Sequence, residues 1–276
     1  MELGQIRALF KSRKVCVLIP TFNNEQTLEK VITEVLQYTP DVIVVNDGST
    51  DATRLILAKF PLIEKVSYDT NEGKGFALRT GFKRALGAGY DYVITIDSDG
   101  QHYASDLPAF LIKIETSPES IIIGARNMGQ STVPGKSSFG NKFSNFWFWV
   151  TTGLSMQDTQ SGFRLYPVRR MRHLKFLTRK FEFEIEVLVR ASWDGIGVEH
   201  VPVRVFYPER GKRISHFRPF RDVTRIAILN SFLVPIALFY IKPRDLWNNI
   251  KKKIYARSCE NNSSTTRNQI RSKRFQ

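Results

Sequence analysis

From residue 14 to about residue 125 the chain alternates short runs of Val and Ile with segments of helical spacing, and few architectures accept that order. The runs are Lys14–Pro20 (KVCVLIP), Val42–Val45, Ile63–Tyr68, Tyr92–Ile96 and Ser120–Ile123. Each is apolar along its length, as strands covered on both faces are. Between them Leu28, Val31, Ile32, Val35 and Leu36 line one helical face. Leu55–Leu57 and the series Phe76, Leu78, Phe82, Ala85, Leu86 mark two more helices. Strands and helices in alternation predict βαβ units. The expected fold is α/β, with a Rossmann-like, mostly parallel central sheet flanked by helices.

After residue 125 the pattern loosens. Residues 126–140 are rich in Gly, Ser and Pro and read as a loop. Asn141–Leu154 is strongly aromatic, Phe181–Trp193 has a helical look, and Gly195–Phe206 reads as a strand. Ile226–Ile241 is apolar but interrupted by Asn230, Ser231 and Pro235. It falls short of the roughly twenty residues a spanning helix needs. It is expected to lie in a membrane interface or to pack on the sheet. This divides the chain into a folded domain over 1–225, an apolar, interfacial helical segment over 226–255, and a basic, disordered tail over 256–276.

The net charge of +15 calls for an anionic partner. From Lys242 onward ten Lys and Arg face only Asp245 and Glu260, so eight of those charges sit in the tail. A basic tail directly after an apolar segment suits a membrane surface, although a merely solvated tail is the plainer reading. Nucleic acid is disfavoured: the sequence has no RRM-like or helix-turn-helix signature. Cys16 and Cys259 lie far apart and suggest neither a disulfide framework nor a thiolate metal site. The N-terminus has no long apolar stretch of a secretory signal. A cytoplasmic protein, peripheral on the inner face of the membrane, is expected.

Three strand ends carry the chemistry. Tyr92–Ile96 is followed by Asp97-Ser98-Asp99-Gly100-Gln101-His102. Two carboxylates after a strand of an open α/β sheet face the ligand crevice. Their oxygens suit Mg2+ or Mn2+, ions that also bind substrate phosphates. The second strand ends in Asn46-Asp47-Gly48-Ser49, where Asp47 is placed to accept from a base or ribose, or to be a plain turn and cap. The first ends in Pro20-Thr21-Phe22-Asn23. The G-x-G-x-x-G of dinucleotide-binding folds is absent there, and Gly73-Lys74-Gly75 does not fit the phosphate-loop consensus. A nucleotidyltransferase would want a Gly-rich basic loop after the first strand, which PTFNN is not.

These pieces resemble the family 2 glycosyltransferases of GT-A fold, and within them the dolichol-phosphate mannose synthase-like branch. PTFNN is similar to the family's PTYNE, and VVNDGSTD to its VDDGSxD. NEGKGFALRTGFKRALGAGYDYVITIDSDGQH, IGAR, DTQSGFRLYP and FEFEIEVLVRA follow in the family's order. The resemblance implies a nucleotide-sugar donor, UDP- or GDP-linked, held by Pro20, Thr21, Phe22, Asn23, Asp47, Lys74, Asp97 and Ser98. It implies a metal at Asp97, Asp99 and Gln101, with His102 close by. Arg126, Lys142, Arg164, Arg210, Lys212, Arg213 and His216 would meet phosphates of donor or acceptor. Asp99, Asp158 and Arg126 are the candidate catalytic residues. Departures from the pattern are Asn24, with Glu25 displaced by one, Asn46 for an Asp, and Arg213-Ile214-Ser215-His216-Phe217 for the usual SK.

The expected reaction is inverting transfer of a sugar to a membrane-associated acceptor. A polyprenyl phosphate needs little deprotonation, whereas a glycan or glycolipid hydroxyl needs a general base. Asp158 is the candidate for that base, or for the group that orients an acceptor or a loop arginine. The aromatic segment around Phe143, Phe146, Trp147 and Trp149, beside Lys142, suits the headgroup boundary.

Overall fold

The computed structural model describes residues 1–126, 135–206, 219–244 and 246–248. The chain divides into two compact units, Met1–Asn230 and Ser231–Gln276. In the first, helix α1 (Leu3–Ser12) precedes β1 (Val15–Thr21), α2 (Leu28–Leu36), β2 (Val42–Asn46), α3 (Thr53–Ala58) and β3 (Glu64–Ser67). Then come α4 (Lys74–Gly87), β4 (Tyr92–Thr95), α5 (Leu107–Thr116) and β5 (Ile121–Arg126). They are followed by α6 (Gly135–Thr152), β6 (Arg164–Tyr166), α7 (Val168–Met171), α8 (Phe183–Trp193) and β7 (Val198–Val203).

Among the described residues the seven strands form one sheet in the order β3-β2-β1-β4-β6-β5-β7. All pairings are parallel except those of β6, which runs antiparallel between β4 and β5. Every residue of β1 and β2 is buried. Helices cover both faces, so these strands show the continuous Val and Ile runs of the sequence. Cys16 is one of the buried residues of β1, where burial pushes its thiol far up.

The order fixes where a ligand can bind. From β1 the chain winds outward through β2 and β3, then returns to place β4 on the other side of β1. The winding direction reverses between β1 and β4, and the crevice beyond the carboxyl ends opens at that point. PTFN leaves β1 there, NDGS leaves β2, and DSDG follows β4.

Three features differ from the reading of the sequence. α5 carries Leu107, Phe110, Leu111 and Ile114 into the core and has no counterpart among the helices read from the sequence, although Asp106 at its N-cap and Pro108 in its first turn mark its start. β6 is only three residues long. The segment read as a loop to residue 140 is helical from Gly135 onward; residues 127–134 lie outside the described residues.

Helix α9 (Pro219–Ile236) and a π-helical turn at Ala237–Ile241 continue the chain. Arg221–Asn248 forms one helix of 28 residues, long and apolar enough to cross a membrane. It is longer than the sixteen uncharged residues suggested, because helical backbone runs on through the flanking charges. The tail over 256–276 lies outside the described residues.

Candidate active site

The first wall is built by two loops tied together by their own side chains. Asp47 N donates to Thr21 O at 2.9 Å, extending the β1–β2 pairing by one step. Asn23, held at φ 49°, accepts from Thr50 N at 2.8 Å through Oδ1, and its own N donates to Ser49 Oγ at 3.0 Å. The Asp47 carboxylate turns inward. It accepts from Glu72 N at 2.9 Å, Gly73 N at 2.8 Å and Asn71 Nδ2 at 2.9 Å. Burial pushes this carboxyl up, and the two backbone donors only partly offset that. Gly48 allows the approach: at φ +74° a Cβ would lie 2.4 Å from the Thr70 carbonyl carbon. Asp47 therefore fixes the 70–73 loop, and through it the start of α4.

Two of the three departures from the family pattern fall on described residues and have defined places. Asn24 Nδ2 donates to Ser98 Oγ at 2.7 Å, joining the β1 loop to the DSD loop. Glu25 accepts from Ala52 N at 2.8 Å, while its own N donates to Asp51 at 3.0 Å. Asn46 Oδ1 accepts from Ser49 N at 3.0 Å, but its Nδ2 is buried without a partner. So is Oγ1 of Thr21, its neighbour across the β1–β2 ladder.

The DSD loop forms the centre. Asp97 is met by Lys74 Nζ at 2.7 Å, and the same ammonium reaches Glu184 at 3.1 Å. Burial would raise the Asp97 carboxyl, but the Lys74 ammonium holds it down. Burial would lower the Lys74 ammonium, yet Asp97 and Glu184 carry it well above its ordinary value. Gly162 closes the third side, since a Cβ there would sit 2.4 Å from Asp97 Oδ2 and 2.9 Å from Lys74 Nζ. Asp99 Oδ1 accepts from Gln101 N at 3.0 Å, which closes the turn through Gly100 at φ +71°. Thr27 Oγ1 anchors the loop by donating to Ser98 O at 2.6 Å. His102 packs on Phe163, and burial drives it down to about 4, so the ring is neutral at physiological pH. Its Nδ1 is buried without a hydrogen-bond partner.

The third group lies at the end of β5. Arg126 Nε and Nη2 donate to the two oxygens of Asp158 at 2.6 and 2.9 Å. Asp158 also accepts from Gln160 N at 3.1 Å. Burial favours its neutral form, but Arg126 outweighs this and holds the carboxyl below its ordinary value. The loop bearing Asp158 is bolted to α6. Asn141 and Asn145 each donate to Gln157 O at 2.9 Å, and Thr159 N donates to Asn145 Oδ1 at 3.0 Å.

Arg164 is a correction. Its side chain was expected to meet an acceptor phosphate, but it is completely buried. Its guanidinium donates to the carbonyls of Ser161 at 2.6 Å, Glu184 at 2.8 Å and Thr159 at 2.9 Å. It holds the SGF loop against Asp97, with its side chain closed off from solvent. Lys142 is exposed on α6. Arg210, Lys212, Arg213 and His216 lie outside the described residues.

The donor set suits a divalent ion that the substrate completes. Among the described residues no group of three or more His, Cys, Asp or Glu forms a ready-made cage. Asp97, Asp99 and the side chain of Gln101 offer hard oxygens on one loop. That is the sparse set Mg2+ and Mn2+ take when phosphates supply further ligands.

The model of the family described as "Glycosyl transferase family 2" matches residues 16–172. The chain belongs to this family. A UDP-N-acetylglucosamine–dolichyl-phosphate N-acetylglucosaminyltransferase from Methanococcus voltae is 25% identical over 217 residues, covering 71% of this chain and 86% of that protein. A polyprenol monophosphomannose synthase from Mycolicibacterium smegmatis is 26% identical over 213 residues, covering 72% and 80%. In fold, the chain is similar to glucosyl-3-phosphoglycerate synthase from Mycobacterium tuberculosis, solved with Mn2+, uridine diphosphate and phosphoglyceric acid. The TM-score is 0.63 at 19% identity, over 85% of this chain and 81% of that one.

As a family 2 glycosyltransferase the protein brings PTFN, Asp47, Lys74, the DSD loop and the Arg126–Asp158 pair to one edge of one sheet. Glu184 escaped notice in the sequence. In FEFEIEV its carboxylate is one of three at alternate positions, and only the start of α8 against Lys74 distinguishes it. Glu186 is equally hidden: it is buried, accepts from Leu177 N and Thr178 N, and pairs with Arg190 at 2.6 Å.

Proposed function

We propose that this glycosyltransferase moves a sugar from a UDP- or GDP-sugar to a polyprenyl phosphate at the inner face of the membrane, with inversion at the anomeric carbon. The observation that carries the acceptor is the Asp158–Arg126 pair. A hydroxyl acceptor requires a base, and the candidate base is engaged by an arginine and kept ionised by it. A carboxylate in that state is a weak proton acceptor. A lipid phosphate, already anionic, requires only a cation to place it, and Arg126 is that cation.

Donor binding rests on Pro20, Thr21, Phe22 and Asn23 at the end of β1, with Asp47 fixing the adjoining loop. Asp97, Asp99 and Gln101 would hold Mg2+ or Mn2+, which when bound neutralises charge on the departing diphosphate. Lys74 adds a second positive charge at the same place. Ser98 sets the loop through its bonds to Asn24 and Thr27. Attack by the acceptor oxygen opposite the diphosphate inverts the sugar.

Membrane association is supported by composition and exposure. Phe143, Phe146 and Trp149 on α6 are exposed by 43%, 52% and 53%. The 221–248 helix is apolar, and basic residues follow it. Aromatic rings beside cations suit the headgroup region.

The test is mass analysis of products after incubating the full chain with Mn2+, a panel of UDP- and GDP-sugars, and vesicles containing undecaprenyl phosphate. A glycosylated polyprenyl phosphate is expected with one donor. Transfer to a lipid or glycan hydroxyl, with the phosphate left unmodified, would overturn the acceptor assignment.

A further inference from the structure

Lys74 sits between two carboxylates on a rigid frame. It is the first residue of α4, and Glu184 lies in the first turn of α8. The two helix starts are in backbone contact: Phe76 N donates to Arg179 O at 2.8 Å, and a Cβ on Gly75 would lie 2.4 Å from Phe183 Cβ. The main chain therefore brings the backbones that carry Lys74 and Glu184 together. Asp97 arrives from a different element, the loop after β4. A lysine at a helix N-terminus meets the positive end of the dipole and needs compensation. One carboxylate would neutralise it; here two face it, at 2.7 and 3.1 Å. The trio keeps one net negative charge in a largely desolvated place, and Asp99 on the same loop adds another.

We propose that Lys74 is an internal counter-ion for Asp97, displaced when a divalent cation takes that carboxylate, and that Glu184 is the positioning residue that retains the displaced ammonium for the donor's diphosphate. This rests on the metal-dependent donor site proposed above. Without the second partner Lys74 would stay bound to Asp97 and compete with the metal. Without Lys74 the loop would present its carboxylates unopposed. Mutating either residue therefore shifts metal affinity in opposite directions, which general loosening of the fold cannot do.

The experiment measures Mn2+ binding to the full chain by electron paramagnetic resonance, alone and with UDP or GDP, with melting as the check on folding. Lys74→Met is expected to bind Mn2+ alone about fivefold more tightly, from removal of one nearby positive charge, and to bind the nucleotide with Mn2+ about tenfold more weakly. Glu184→Gln is expected to bind Mn2+ alone about fivefold more weakly, with Glu184→Asp recovering most of the loss. A folded Lys74→Met that binds Mn2+ no more tightly, or a Glu184→Gln that binds it as wild type does, overturns the proposal. If Lys74→Met does not fold, the Glu184 pair decides. Wild-type protein that binds no Mn2+ even with nucleotide sinks the metal site itself, and this inference with it.

Discussion

Asp158 grips Arg126 with both carboxylate oxygens, at 2.6 and 2.9 Å, in a position where Asp158 is almost wholly buried and Arg126 still reaches the surface. The carboxylate holds the arginine, whose side chain is 12% exposed. Asp158→Asn keeps the shape but loses the charge and one acceptor. We expect it to raise the KM for the proposed polyprenyl-phosphate acceptor and lower kcat/KM by ~10²-fold, the scale of a misplaced positioning group. Nucleotide binding should stay within a factor of two. Steady-state kinetics with donor and acceptor varied separately checks this, and a loss confined to donor KM would contradict it.

The same pair sets a pH response. Against burial, Asp158 is held below its ordinary value by Arg126, and Glu186 by the Thr178 hydroxyl, the Thr178 and Leu177 amides and Arg190. A depressed carboxyl contributes stability that is full above its unfolded pKa of about 4 and lost as pH falls through the folded value. Asp47, pushed up by burial, works against this trend. The melting temperature should drop as pH goes from 5 to 3, and the drop should be shallower in Glu186→Gln. At neutral pH that variant leaves Arg190 short of its partner and should be less stable by ~3 kcal/mol. Thermal melts across pH test both parts.

Asp99→Ala should abolish turnover at a stability cost of only ~1 kcal/mol, the scale of the turn hydrogen bond from Gln101 N that it loses. Chelator should silence the wild type in the same way. Persistent transfer in chelator would remove the metal from the mechanism.

How much of this was readable in advance depended on burial. β1, β2, β4 and β5 announce themselves because both faces are covered and no polar residue interrupts them. β6 does not, because three residues carry no periodicity and its place between β4 and β5 is a matter of tertiary pairing. The place of PTFN, Asp47 and the DSD loop at one edge of the sheet follows from topology, so that placement could be read from sequence. Arg164 misled for the opposite reason: an arginine in a polar loop looks like a phosphate ligand, and only its complete burial among carbonyls reveals a scaffold role. Glu184 and Gly162 matter through what they touch, Lys74 and Asp97, and no local pattern encodes that contact.

The exposed rings of α6 should act in membrane attachment. Phe146→Ser with Trp149→Ser removes two half-exposed aromatics. These substitutions should leave melting within ~1 kcal/mol, since little packing is lost. Co-sedimentation with anionic vesicles should fall severalfold, and deletion of the segment after Lys242 should lower it further at low salt. Sedimentation unchanged in both variants would refute the attachment role.

Gly162 offers the sharpest structural test of the site. Its φ is unexceptional, and the constraint is space: an added methyl would meet Asp97 Oδ2 at 2.4 Å and Lys74 Nζ at 2.9 Å. Gly162→Ala must push either the SGF loop or the Asp97–Lys74 pair, and the loop is pinned by the buried Arg164 and by Thr95 Oγ1, which donates to Gly162 O at 2.7 Å. The pair therefore gives way. We expect a stability loss of ~1–3 kcal/mol, the usual scale of overpacking, with a disproportionate loss of transfer. Gly153→Ala is the control: it has φ +76° but open space around the Cβ position, so it carries backbone strain without touching the site. Comparable melting losses with activity lost only in Gly162→Ala would locate the effect at Asp97. Full activity in Gly162→Ala would mean that the Asp97–Lys74 contact is dispensable.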